Sequence, residues 1–483
     1  MISKKTIYGS FLYTAVGAMP FASALILLPF YSNYLSTNDF GALSVYIGFS
    51  LFVQVISTFS IEQYVATHVS HYADQEELLK QRMSQALTLC LGAGLLVFGL
   101  FYVTGQEIFR LFDKEGQLDF ALYGMMSVGT GIFNGYFRNY TNLLVYRKQD
   151  RLYISSNTFN FVITIILSLG FLNYYGSSLM GPMMGRIVSG ALIFSLALFH
   201  QIKNYNFVWN NEAVKEVLFF AGPLLLISIF NWSTNYIDRF LLTSEVSLDE
   251  VGIYDFATKF LLPVELLHIG LSNYVMPRIY SSWNKNFTQP NMVNANQMLH
   301  SFLVLTVAAI IVTLVAIPLG VPLLVKNKDF YQAFAMIPLL SIGYLTRAAY
   351  NLFSGILMLQ KAIKRFIIAF MVAAVFQIGS SLIVLPVFGI HGAVVISAAT
   401  KIVLVVSLYF SLKNIAQLDL RTKKFLWYPV LISIALIAYQ FFAKEHYWIA
   451  LFVFVVYSAI VTYAIFGKEL VKLAEAYIKP KER

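Results

Sequence analysis

Residues 302–325 read FLVLTVAAIIVTLVAIPLGVPLLV, with no Asp, Glu, Lys or Arg and with Thr306 and Thr313 as the only polar side chains. About 20 such residues span the hydrocarbon core of a bilayer as a helix. Working outward from this stretch, thirteen further apolar segments of comparable length appear. The full set runs 8–34, 42–66, 84–105, 119–146, 153–172, 178–200, 217–243, 252–276, 300–325, 331–359, 366–386, 389–412, 425–443 and 446–466. The links between them are short and leave no room for a soluble domain. The whole composition agrees: 58% of the 483 residues are hydrophobic and 12% are charged, against roughly 25% charged in a soluble domain. A soluble protein this apolar would expose large apolar patches and aggregate, which excludes a soluble enzyme, a nucleic-acid-binding domain and a disordered chain. The expected fold class is an all-α integral membrane protein.

Lys4 and Lys5 before an apolar run, with Ala22-Ser23-Ala24 behind it, resemble a signal peptide. The run continues as Leu25-Ile26-Leu27-Leu28-Pro29-Phe30, so the segment reads as an uncleaved first span. The net charge of +10 follows from topology. With both termini on the cytoplasmic side, 23 of the 34 Lys and Arg fall in cytoplasmic segments, 5 in outer loops and 6 inside spans. Cytoplasmic loops collect basic residues in this way. Trp209, Trp283, Trp427 and Trp448 fall at span ends, where an aromatic belt belongs. The single cysteine, Cys90, excludes an internal disulfide or a cysteine-based metal cluster and reads as a packing residue.

The chain also repeats itself. Leu35-Ser36-Thr37-Asn38-Asp39-Phe40-Gly41 joins spans one and two, and Val246-Ser247-Leu248-Asp249-Glu250-Val251-Gly252 joins spans seven and eight. Both place Ser, an acid and Gly at the same spacing, 211 positions apart and on the same side of the membrane. Gly176 with Gly181, before span six, is echoed by Gly389 with Gly392, before span twelve. The expected organisation is a six-helix lobe over residues 1–205, a second over 206–416, and helices 13 and 14 with a tail over 417–483. Parallel repeats of this kind place a substrate site between the halves and favour alternating access. The bland alternative is that outer turns favour Ser, Asp and Gly anyway.

Fourteen spans as six, six and two resemble the polysaccharide transporters of the multidrug/oligosaccharidyl-lipid/polysaccharide exporter superfamily, and within it the Wzx-type flippases for O-antigen or capsule repeat units. The opening span leading into Leu35 to Gly41, the run Asn235-Tyr236-Ile237-Asp238-Arg239-Phe240-Leu241-Leu242, and Glu250-Val251-Gly252-Ile253-Tyr254 carry the resemblance. It implies two bundles in a V and outward transfer of an undecaprenyl-pyrophosphate-linked saccharide across a bacterial inner membrane. It implies membrane lipids, a coupling proton or cation, a polymerase and a chain-length regulator as partners, with no cofactor and no nucleic acid.

Charges at mid-bilayer are costly, about 2.5–3.5 kcal/mol even on the mild insertion scale, so each is a functional candidate. Six basic residues qualify (Arg138, Arg186, Arg239, Lys259, Arg347 and Lys401) against four acids (Glu62, Asp238, Asp255 and Glu265). That excess of two positive charges suits an anionic head group such as a pyrophosphate, whose oxygens match the arginine fork. Asn134, Arg138 and Asn142 recur every fourth residue in span four, and Tyr344, Arg347, Asn351 and Ser354 in span ten and Asn157, Asn160 and Thr164 in span five recur every third or fourth. Such stripes suit a wet cavity. Asn134, Asn142 and Asn351 thus join the six cations as candidate substrate contacts.

Each candidate has a structural alternative. Asp255 and Lys259, at i and i+4, can neutralise each other. Asp238-Arg239 can snorkel or pair at the end of its helix, and Glu62 can reach water. Arg138, Arg186, Arg347 and Lys401 have no acid nearby on their own helices, so pairing across helices is their alternative role. Glu62, Asp238, Glu265 and His268 are the candidates for ion coupling, since a buried carboxylate or histidine can carry a proton. No Walker loop, HExxH, dinucleotide fingerprint or nucleophile elbow is present. The competing functions are a lipid II flippase, a multidrug or cation antiporter, which would want an acidic cavity, and a membrane-embedded polymerase, which would want a long outer loop.

Overall fold

The computed structural model describes residues 4–65, 75–281, 292–413, 415, 422–443 and 445–478. Trp283 and the loop cations Lys285, Arg421, Lys444, Lys479, Lys481 and Arg483 lie outside the described residues. Among the described residues every regular element is helical. Lipid offers no partner to a backbone N–H or C=O, so a spanning chain satisfies them within each helix.

The order is α1 (Lys4–Tyr34), α2 (Thr37–Thr58), α3 (Glu76–Arg110), α4 (Met125–Tyr146, entered through a π-turn at Phe120–Gly124), α5 (Asp150–Tyr175) and α6 (Met180–Asn204). There follow α7 (Asn211–Glu245), α8 (Leu248–Lys259), α9 (Leu262–Ser281), α10 (Met292–Leu324), a 3-10 turn (Lys328–Met336), α11 (Ile337–Leu345) and α12 (Arg347–Leu359). The last are α13 (Ile363–Leu412), α14 (Thr422–Phe442) and α15 (Tyr447–Ile478).

Among the described residues, eleven helical stretches are long and apolar enough to cross a membrane. That is three fewer than the fourteen expected. One of them, α13, is 50 residues long and breaks at Gly389 (φ 51°) into the two segments read from sequence. The asparagine-bearing α4 and the interrupted pair α8 and α9 are not among the eleven. Two expected single helices are in fact broken. The eighth is interrupted between Lys259 and Leu262, where Pro263 fits the first turn of α9 because its missing N–H is unbonded there anyway. The tenth begins as a 3-10 turn and breaks again at Thr346. Leu95, Leu96 and Val103 on α3 are about three-quarters exposed, as a face turned to lipid requires.

The repeated segments are helix starts rather than free links. Ser36 caps α2 by accepting the N–H of Asp39 (3.0 Å), and Ser247 caps α8 by accepting that of Glu250 (3.3 Å). Gly176 and Gly389 both adopt positive φ, which a side chain would resist. Glu250 accepts the N–H of Ile390 at 3.0 Å and so caps the helix that restarts after Gly389.

The two copies also clasp each other. A Cβ on Gly41 would overlap the Leu248 carbonyl oxygen, and a Cβ on Gly252 would overlap the Thr37 carbonyl oxygen. Thr37 and Leu248, like Gly41 and Gly252, are counterparts 211 residues apart, so the contact is related to itself by an approximate two-fold axis. Thr37 donates to Asp249, and Asn38 reaches the other oxygen of the same carboxylate at 3.5 Å. Below them the buried Phe40 ring meets Phe256 and Phe330 edge-on. Lys114 with Glu245 (2.7 Å) and Asn33 with the Leu324 carbonyl (2.8 Å) flank the same end.

Candidate functional site

The intramembrane charges resolve into pairs with a remainder. On α7, Arg239 is buried and fully bonded. It donates to Asp238 (2.8 Å), to Asp255 on α8 (2.9 and 3.1 Å), to Ser44 on α2 (3.2 Å), to Thr258 (3.2 Å) and to the Asn235 carbonyl (2.9 Å). Tyr254 donates to the second oxygen of Asp238 at 2.5 Å. Lys259 pairs with the second oxygen of Asp255 at 2.5 Å and lies 4.4 Å over the Phe40 ring. A buried charge persists only when paired and hydrogen-bonded, and this group meets both conditions. Asp238-Arg239 therefore does not snorkel: both side chains are about 95% buried.

Two of the four cations lacking an acid on their own helix find one across helices. Arg138 on α4 meets Glu62 at 3.1 Å, and Arg347 at the start of α12 meets Glu265 on α9 at 2.5 Å. The other two do not. Lys401, in the second half of α13, donates to the Thr234 carbonyl (2.9 Å) and to Asn235 Oδ1 (2.5 Å), with its stem against Gly343. The Arg186 guanidinium on α6, partly buried, makes no ion pair or hydrogen bond among the described residues. It lies within electrostatic range of Tyr31 and Lys259. Lys401 lies within range of Arg347, Arg239, Asp238 and Glu265. The intramembrane excess of two positive charges thus comes down to Arg186 and Lys401.

The remaining candidates are placed as follows. Asn134 and Asn142 share the half-exposed face of α4 with the exposed Arg138. Asn142 also lines a cavity of about 10 Å³ with Glu62 and Asn139, space for one water at most. Asn351 donates to Ser272 on α9 at 2.6 Å. His268 is buried, shares a hydrogen bond with Thr306 at 2.8 Å and packs against Phe302 and Tyr344, as a core histidine does. Cys90 is buried and accepts from Asn139 at 3.1 Å. No cluster of three metal-ligating side chains occurs among the described residues.

Sequence reasoning missed Thr234 and Asn235 as the cradle of Lys401, and Ser44 as the link from α2 to Arg239. Asn235 lay within the run that carried the family resemblance, though nothing in its spacing gave it a role. The breaks at Lys259–Leu262 and at Thr346 put Lys259, Glu265 and Arg347 at interrupted helix ends, a setting in which membrane carriers bind polar cargo.

The fold recurs among solved membrane transporters. The fold matches a lipid II flippase, MurJ, in an inward closed conformation, with TM-score 0.72 over 95% of this chain and 99% of that one at 16% identity. It matches an inward-facing multidrug resistance MATE transporter of the MOP superfamily with TM-score 0.62 over 83% and 94% of the two chains at 12% identity. Among curated proteins, "Lsg locus putative protein 1" of Haemophilus influenzae is 24% identical over 345 residues, covering 68% of this chain and 80% of that protein. The polysaccharide biosynthesis protein family model matches residues 7–283, more than half of the chain. The chain belongs to that family and is a multi-pass membrane protein with a MurJ/MATE-type transporter fold.

Proposed function

We propose that the protein is a flippase that moves an undecaprenyl-pyrophosphate-linked oligosaccharide from the cytoplasmic to the outer leaflet of a bacterial inner membrane. The observation that carries this reading is the pair of cations without a carboxylate. Arg186 and Lys401 sit on α6 and in the second half of α13, which the proposed repeat would make the sixth span of each lobe. A pyrophosphate carries the counter-charge that both cations lack and the acceptor oxygens that Arg186 lacks. Arg239, Lys259 and Arg347 would surround it with paired charge, and the asparagines at 134, 142 and 351 would meet sugars. Glu265 is the coupling carboxylate this reading favours, because its ion pair with Arg347 is partly open to solvent.

The chain would cross the membrane fourteen times with both termini in the cytoplasm, as lobes 1–205 and 206–416 followed by 417–483. Rocking of the lobes would open and close the clasp of Gly41 and Gly252. The likeness to MurJ supports the transporter fold and leaves lipid II as an alternative cargo. A cation exporter is disfavoured by the sign of the unpaired charge, and a polymerase by the short outer loops. Polymerase and chain-length regulator partners follow from the pathway this function serves. The test is translocation of a defined lipid-linked oligosaccharide in proteoliposomes by variants with Ala at Arg138, Arg186, Arg347 or Lys401. Loss is expected most strongly at Arg186 and Lys401, and full activity in all four refutes pyrophosphate capture.

A further inference from the structure

The two halves of the chain turn the same corner with different charge. After α4, Lys148 adopts a left-handed backbone (φ 55°), and its N–H and that of Gln149 close on the carbonyls of Val145 (3.0 Å) and Leu144 (2.9 Å). After α12, Lys361 does the same (φ 53°), with its N–H and that of Ala362 on the carbonyls of Met358 (3.0 Å) and Leu357 (2.9 Å). Glycine would adopt that conformation at lower cost than lysine. The first corner balances its charge: Arg147 pairs with Glu76 at 3.1 Å, and Asp150 opens α5. The second does not. No Asp or Glu occurs between Asp329 and Asp419, and the first turn of α13 carries Lys364 and Arg365 where a helix prefers acids.

Arg365 donates to the carbonyls of Ser411 (3.2 Å) and Lys413 (3.0 Å), which brings the end of α13 against its beginning. Four exposed cations, Lys361, Lys364, Arg365 and Lys413, thus share one corner. The three lysine side chains make no ion pair or hydrogen bond among the described residues. Beneath them lies an apolar wall. Ile368 and Val372 continue the face of Lys364 one and two turns on, 52% and 43% exposed, and Phe410 on the returning half is 62% exposed. The bias of basic residues toward one face of a membrane puts lysines at both corners, but it neither gathers four cations at one of them nor removes their acids. Such a corner matches a molecule with phosphate oxygens at the membrane surface and acyl chains below. We propose that it binds an acidic phospholipid of the surrounding leaflet, with the phosphate on Lys361, Lys364 and Lys413 and the chains along Ile368 and Phe410. Clustered lysines and arginines at the end of a span attract such head groups. The ligand is a lipid of the bilayer and not the cargo, so this inference stands apart from the flippase reading.

The test is native mass spectrometry of the purified full chain in detergent, with phosphatidylglycerol or phosphatidylethanolamine of the same acyl chains. Tighter binding of phosphatidylglycerol is expected. Its first binding step should weaken about fivefold in Lys361→Gly and in Lys413→Gln, and about 25-fold in the double variant. Glycine suits the left-handed turn, so a loss in Lys361→Gly reports charge and not fold. Lys148→Gly, at the acid-bearing corner, should bind like wild type. Equal binding of the two lipids, no loss in the double variant, or equal loss in Lys148→Gly and Lys361→Gly overturns the proposal. Displacement of bound phosphatidylglycerol by equimolar inorganic phosphate overturns it too, since the acyl chains would then contribute nothing. Lipid binding is read without transport, so its failure leaves the flippase reading untouched.

Discussion

An alanine at Gly41 should separate the two halves of the molecule at one end without unfolding either. Its Cβ would overlap the Leu248 carbonyl oxygen and come within 3.0 Å of the Gly252 nitrogen. Backbone cannot yield as a side chain can, so α2 and α8 must part by about 1 Å or the contact must open. Overpacking of this kind costs about 1–3 kcal/mol. Because the strain exists only while the clasp is closed, it becomes a bias of about 5- to 150-fold toward the open form. Gly252→Ala should act equally, since its Cβ meets the Thr37 carbonyl in the same way. The double variant should cost less than the sum, because one separation relieves both clashes. The assay is the spin–spin distance between nitroxides at Leu111 and Leu323, exposed positions at this end on opposite halves, in a Cys90→Ala background. A population shifted to longer distance with an unchanged melting temperature is expected. An unchanged distance distribution with wild-type transport would show that the clasp is ordinary packing.

Three further outcomes follow from the charge map. Asp255→Asn leaves Arg239 and Lys259 short of a buried counter-charge, and should destabilise the detergent-solubilised protein by about 3–5 kcal/mol, read by thermal melting. Glu265→Gln strands Arg347 and should lower stability, whereas Glu265→Gln with Arg347→Gln should regain most of it; a double variant as unstable as the single would mean the pair is not neutralising itself. His268→Gln can keep the bond to Thr306 and should transport at near wild-type rate over the whole pH range; loss of the pH dependence in that variant would make His268 the coupling group.

Much of this architecture was legible in the sequence because lipid is a demanding solvent. Segment 302–325 reads as a span unaided, and the Ser, acid and Gly spacing marked both ends of the clasp. Their mutual contact was not legible, since a repeat says that two segments are alike and not that they touch. Local pairing was equally readable: Asp255 and Lys259 at i and i+4 meet as expected. Pairs 76 and 82 residues apart, Glu62 with Arg138 and Glu265 with Arg347, depend on which helices pack together, and helical periodicity carries no such information. The 3-10 opening of the tenth span and its break at Thr346 left no mark in an apolar run, and the break before α9 was read through as one span despite Pro263.

The central claim is that Arg186 and Lys401 are left uncompensated for the sake of an anionic head group. Its most direct measurement is the affinity of purified wild type, Arg186→Gln and Lys401→Gln for undecaprenyl pyrophosphate, with uncharged undecaprenol as the reference lipid. Each lost charge-assisted hydrogen bond is worth about 1.5–3 kcal/mol, or roughly 10- to 150-fold. The account predicts that loss for the pyrophosphate in both variants, with undecaprenol binding unchanged. Equal affinity of all three proteins for undecaprenyl pyrophosphate would contradict it.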